Sequence, residues 1–286
     1  MLALAFLASS ALAGELELGL KAYNAKNYAA AMPLLKSAAA AGSVQAQSLL
    51  GWMYLRGEGT PSDPRQAAAW LRRAAAKGEV GAQYNLALML GAGNGVPQDL
   101  KSAFSWFRAA AKHGHAGAQY SLALMHANGW GTARDGKDAL VWYERAASQG
   151  HQGAQLALGI LFEKGELVAR DLARAAHWYR EAASQGDAVA QTNLANLYAS
   201  GQGVVRDMSE ALLWYRKAAD QGNAGAEYNL GMLYSTGIGV ALDYREGYKW
   251  LASAERRGLS QATKMKAFVE TRMSADELAE ARSRAN

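Results

Sequence analysis

Residues 91 to 100, GAGNGVPQDL, set three glycines beside an aspartate, a composition that could wrap a phosphate group. A phosphate-binding P-loop also needs a preceding strand and a Gly-Lys-Ser/Thr ending, and neither is present. The five histidines, His113, His115, His126, His151 and His177, form no H-E-x-x-H pair, and a zinc site would need ligands converging from separate turns. His115 and His151 share one position after a glycine, which reads as turn chemistry. No S-x-x-K nucleophile pattern occurs. The chain has no cysteine, which removes disulfides, thiolate metal ligands and thiol nucleophiles together. The residues therefore predict no catalytic group, no metal and no cofactor.

The glycines have another explanation, because they recur. Tryptophan falls at Trp70, Trp106, Trp142, Trp178, Trp214 and Trp250, a constant step of 36 residues. The same step carries Asp63, Asp99, Asp135, Asp171, Asp207 and Asp243, and glycine at 57, 93, 129, 165, 201 and 237. A second glycine follows at 59, 95, 131, 203 and 239, with Leu167 as the exception. A nucleotide loop would occur once, whereas a glycine turn ending a helix suits every unit of a repeat.

Each unit reads as two helices. The aspartate caps helix B, whose apolar stripe in the first unit is Ala67, Trp70, Leu71, Ala74 and Ala75. One buried indole is worth about 5 kcal/mol before corrections, so the tryptophans are expected to anchor the core. Helix A follows, with alanine at 46, 82, 118, 154, 190 and 226, then leucine four residues on and a small residue after it. The expected fold is all-α, an α-α superhelix or solenoid of antiparallel pairs. The units are 43–78, 79–114, 115–150, 151–186, 187–222 and 223–258. A degenerate pair over 14–42, with Asn27 at the aspartate position and Pro33 kinking its helix, caps one end. Residues 259–286 cap the other, starting a last helix at the capping box Ser274 to Glu277.

Residues 1–13, MLALAFLASSALA, read as a signal peptide ending in a small-x-small site, although no Lys or Arg precedes the apolar run. The expectation is a periplasmic or secreted protein, or a cytoplasmic one if that segment only opens the first helix. No later stretch has the ~20 apolar residues of a membrane span. The formal charge of +5 is spread in short groups such as Arg72-Arg73 and Arg216-Lys217. These fit a solvated face near helix C-termini and do not predict nucleic-acid binding.

The pattern A-x3-L-[GA]-x2-[YFMLH], G-x-G-V-x2-D-x3-A-x2-W-[YFL]-x2-A-A-x2-G resembles the Sel-1-like repeat, a relative of the tetratricopeptide repeat with a longer loop. Its departures are mild, among them Leu167, Gly247 and Glu255. The resemblance implies that helix A lines a concave surface. Its variable positions would then face a partner: Trp52, Tyr84, Leu88, Tyr120, Leu124, Leu156, Ile160, Asn196, Tyr228 and Met232. An apolar strip of this kind fits a protein or peptide, or a glycan stacked on its aromatics. The same side chains could instead pack neighbouring A helices together. Bacterial relatives are assembly scaffolds, regulators of sensor kinases or of exopolysaccharide production, or host-interaction proteins, so the expectation is a monomeric, non-catalytic adaptor. A cysteine-rich branch is described as penicillin-binding or β-lactamase-like, and its paired cysteines are missing here.

Overall fold

The computed structural model describes residues 14–285; the signal-peptide expectation for 1–13 lies outside the described residues. The chain divides into two compact units, Gln149 closing the first and Gly150 opening the second. Among the described residues there is no strand. Each unit stacks antiparallel helix pairs, and the fold is an all-α solenoid built from them.

In the first unit α1 covers 14–24. It is followed by α2 (Tyr28–Ala40), α3 (Val44–Arg56), α4 (Pro64–Ala76), α5 (Val80–Ala92), α6 (Leu100–Lys112), α7 (Ala116–Asn128) and α8 (Gly136–Ser148). The second unit contains α9 (Gln152–Lys164), α10 (Leu172–Ser184), α11 (Ala188–Ser200), α12 (Met208–Asp220), α13 (Ala224–Thr236), α14 (Tyr244–Arg256), α15 (Ser260–Glu270) and α16 (Ala275–Ala285). Every A helix packs on the B helix that follows it, and within each unit consecutive pairs pack on each other.

The aspartate of each repeat joins its two helices. In the first unit the Asp63 side chain accepts from the Arg65 and Gln66 amides at 3.0 and 3.1 Å, capping α4. Its own amide donates to the Tyr54 carbonyl of α3 at 2.9 Å. Asp99, Asp135, Asp171, Asp207 and Asp243 repeat both contacts. The first glycine of the turn is a left-handed C-cap, as at Gly57 with φ 71°. The second lets the loop lie against the preceding B helix: a Cβ on Gly131 would stand 2.2 Å from the Leu100 carbonyl oxygen.

The tryptophans depart from the expectation. All six are half-buried, whereas the next residue in each repeat, Leu71, Phe107, Tyr143, Tyr179, Tyr215 or Leu251, is buried. Successive helical residues point about 100° apart, so only one of two adjacent large side chains can face helix A squarely. The indole sits at the edge of the stripe and offers its outer face to a cation. Arg73 stacks on Trp70 and Arg145 on Trp142, both at 4.5 Å, and Lys217 on Trp214 at 4.1 Å. Several of the basic side chains are therefore paired with rings.

Side-chain caps open α2 and α16. Asn27 accepts from the Ala30 amide at 3.2 Å, and Ser274 and Glu277 exchange the reciprocal bonds of a capping box at 2.9 and 3.3 Å. Pro33 lies inside α2, which runs through it as one helix.

Candidate functional site

Within the first unit, Trp52, Tyr84, Tyr120 and Leu124 are half-buried and Leu88 is exposed. Tyr84 is held by its own helix B and by the next repeat, and Tyr120 by its own helix B. Tyr84 stacks on His115 with ring centres 4.3 Å apart and tilts against Phe107 at 5.8 Å. His115 is fixed in turn, because its Nδ1 accepts from the Ala118 amide at 3.1 Å and caps α7. His151 caps α9 in the same way at 3.2 Å. Tyr120 tilts against Tyr143 at 6.0 Å. Burial raises the pKa of both Tyr84 and Tyr120, opposed at Tyr84 by a hydrogen bond with Ser121, so both keep their protons at neutral pH. These rings combine packing with a partly open edge.

Leu88 and Leu124 come together in an apolar cavity of about 300 Å³. Leu100 and Phe107 of α6, Met125 of α7 and Trp130 of the α7–α8 loop complete its walls, with Gly91, Ala92 and Ser121. Trp130 is 49 % exposed and Leu88 42 % exposed, unusual for side chains of this size. A second cavity, of about 530 Å³, lies between α1 and α3 and includes Trp52. The helix B and loop members of these walls escape a reading of helix A alone, since they come from other elements of the repeat.

In the second unit Leu156, Ile160, Tyr228 and Met232 are half-buried and Asn196 is exposed. Tyr228 packs on the cluster that holds Tyr248 and Leu251. Asn196 is bound by its neighbours: its Oδ1 accepts from the Tyr215 hydroxyl at 2.5 Å and from Asn229 Nδ2 at 3.1 Å. Burial pushes the Tyr215 pKa up to about 12. Tyr179 donates to Glu163, and burial with that bond raises its pKa as well. Helix A positions are thus apolar around Leu88 and Leu124 in the first unit and hydrogen-bonding around Asn196 in the second.

A buried amide series supports these faces from behind. Glutamine recurs at 47, 83, 119, 155 and 191, a signal in the sequence that the louder alanine and glycine pattern hides. Gln119 Nε2 donates to the Ala111 carbonyl at 3.1 Å and its Oε1 accepts from Gln149 at 2.6 Å. Gln191 repeats this with Ala183 at 3.1 Å and Gln221 at 2.8 Å. At the next position Glu227 replaces glutamine and takes Arg257 and Ser253 as partners at 3.0 and 2.8 Å. His126 is also buried, edge-on to Phe104 at 5.2 Å, with Nε2 3.8 Å from Asp138. Among the described residues no cluster of three or more His, Asp or Glu side chains could hold a metal ion.

Helix hairpins of one length, closed by an aspartate and two glycines and presenting helix A side chains in rows, define a repeat-protein scaffold. The Sel1 repeat model matches residues 44–79, 80–115, 116–151, 153–187, 188–223 and 224–259, and the chain belongs to the Sel1 repeat family. Proteins of this family are in general protein–protein interaction scaffolds. The chain is similar to a Sel1 repeat protein from Oxalobacter formigenes, at 34 % identity and TM-score 0.72, covering 84 % of this chain and 96 % of that one. It is also similar to c5321, a protective antigen present in uropathogenic Escherichia coli strains and displaying an SLR fold. There the identity is 30 % and the TM-score 0.65, covering 96 % of this chain and 68 % of that one. No curated protein matches. Among the described residues no helix is long and apolar enough to cross a membrane.

Proposed function

We propose that this protein is a non-catalytic adaptor, exported to the periplasm or secreted, that captures a protein or peptide segment on the helix A face of its repeats. The observation that carries the reading is the apolar cavity of the first unit, where Leu88 and Trp130 remain 42 % and 49 % exposed over Phe107. Large apolar side chains left open together at a concavity gain free energy when a partner side chain covers them. The hairpins would hold this surface ready, so a partner would bind without ordering the receptor. Their tyrosines retain their protons and offer hydrogen bonds in place of acid–base chemistry.

The test is capture of partners from the native organism by crosslinking, comparing wild type with Leu88→Ser/Trp130→Ala of verified fold. A protein recovered with wild type and lost with the variant supports the reading; identical recoveries overturn it for this face. Sequencing the N-terminus of the mature protein tests export, with Gly14 as the expected first residue.

A further inference from the structure

The larger cavity of the first unit has a chemical character of its own. Leu20 of α1 and Val44, Leu49 and Trp52 of α3 give it apolar walls, and its volume is about 530 Å³. One formally charged side chain lines it, Glu79. Glu79 is the N-cap of α5: Oε1 accepts from the Gly81 amide at 3.1 Å, and Oε2 accepts from the Ala82 amide and, at 3.0 Å, from the Ser48 hydroxyl. All three donors are neutral. The α5 dipole offsets part of the negative charge, but among the described residues no cation stands within ion-pair distance of Glu79. Arg56, which stacks on Trp52 at 5.1 Å, is itself answered by Glu58 at 3.8 Å.

Capping alone does not require this carboxylate. The equivalent cap is Ser43 in the preceding repeat and His115 in the following one. A glutamate places a negative charge at the wall of an apolar chamber, which selects for an occupant with a hydrocarbon body and a positive end. Lysine is the side chain with that construction, a four-carbon stem ending in an ammonium group.

We infer that the cavity between α1 and α3 receives a lysine side chain of a polypeptide partner, its stem along Leu49 and Trp52 and its ammonium beside Glu79. The inference rests on the adaptor reading and names one contact of that partner. It is separable from that reading, because capture through Leu88 and Trp130 can persist when this cavity binds nothing.

The experiment follows the Trp52 indole N–H by NMR in the full chain, assigned with Trp52→Phe, while hexylammonium, hexanol and hexanoate are added separately. Hexylammonium should shift the Trp52 signal at about tenfold lower concentration than hexanol, as one charge-assisted contact allows, with hexanoate weakest. Glu79→Ser keeps a capping oxygen, as Ser43 provides for α3, and should reduce hexylammonium to the level of hexanol. Equal binding of hexanol and hexylammonium to wild type, no Trp52 shift with any probe, or an undiminished preference in a folded Glu79→Ser protein would each overturn the inference. If Glu79→Ser unfolds, the comparison of the three probes on wild type decides by itself.

Discussion

Arg257 Nε donates to Glu227 Oε1 at 3.0 Å, at the position where the two preceding repeats of the second unit join Gln155 to Gln185 at 2.7 Å and Gln191 to Gln221 at 2.8 Å. The Glu227 side chain is 2 % exposed, so an ion pair has replaced an amide pair inside the packing. Removing one partner leaves the other charge buried, and Arg257→Ala should destabilise the fold by about 2 kcal/mol, tempered by the exposed side of the guanidinium. Glu227→Gln with Arg257→Gln should return to within about 1 kcal/mol of wild type by rebuilding the amide pair. Urea unfolding of the single and double variants checks both values. A double variant no better than Arg257→Ala would show that the ionic form is required.

The second turn glycine should be far less replaceable than the glycine after helix B. Gly131 has φ 68° and its Cβ would meet the Leu100 carbonyl oxygen at 2.2 Å, whereas Gly114 has φ 86° and nothing within 4 Å. Gly114→Ala should cost about 1 kcal/mol for the left-handed backbone alone. Gly131→Ala adds a backbone collision and should cost about 3 kcal/mol. Thermal unfolding of the two proteins measures the difference, and equal losses would mean that the loop can lift away freely.

The caps carry an acid dependence. Hydrogen bonds with Ser102, from its side chain and then its amide, hold the Asp99 pKa below its ordinary value of 3.8; at Asp135 the Asp138 amide leads. A carboxylate whose pKa is lowered by folding contributes stability that is complete above its unfolded value and lost as pH falls through its folded value. The contribution of these two caps should therefore be full above about pH 4 and fade below it. Asparagine caps without titrating, so Asp99→Asn/Asp135→Asn should show a shallower loss of stability between about pH 4 and pH 2. Unfolding midpoints across that range test the sign, and a steeper loss in the variant would contradict it.

Exposure separates the rings of the Leu88 cavity. Phe107 is 5 % exposed and Trp130 49 % exposed. Phe107→Ala should cost about 3 kcal/mol, and Trp130→Ala less than about 1 kcal/mol. Trp130 can thus be removed to test partner capture without harming the fold. A large loss of stability for Trp130→Ala in denaturant unfolding would make the ring a structural lid.

Much of this architecture was legible in the residues. The 36-residue step, the aspartate cap, the glycine C-cap and the Ser274 to Glu277 box are local arrangements, and each forms where the sequence puts it. Their geometry depends on backbone groups a few residues away, so neighbouring residues suffice to specify it.

Other features depended on contacts between distant residues. Trp142 and Tyr143 are adjacent and both large, and only the approach of helix A decided that Tyr143 enters the core while Trp142 lies at the edge under Arg145. The Leu88 cavity takes walls from α5, α6, α7 and a loop, and Glu79 meets Ser48 across 31 residues. Caps, turns and period follow from short-range hydrogen bonding, so the sequence by itself determined them. Which faces close and which stay open follows from the packing of whole helices on one another, and that only the tertiary structure decided.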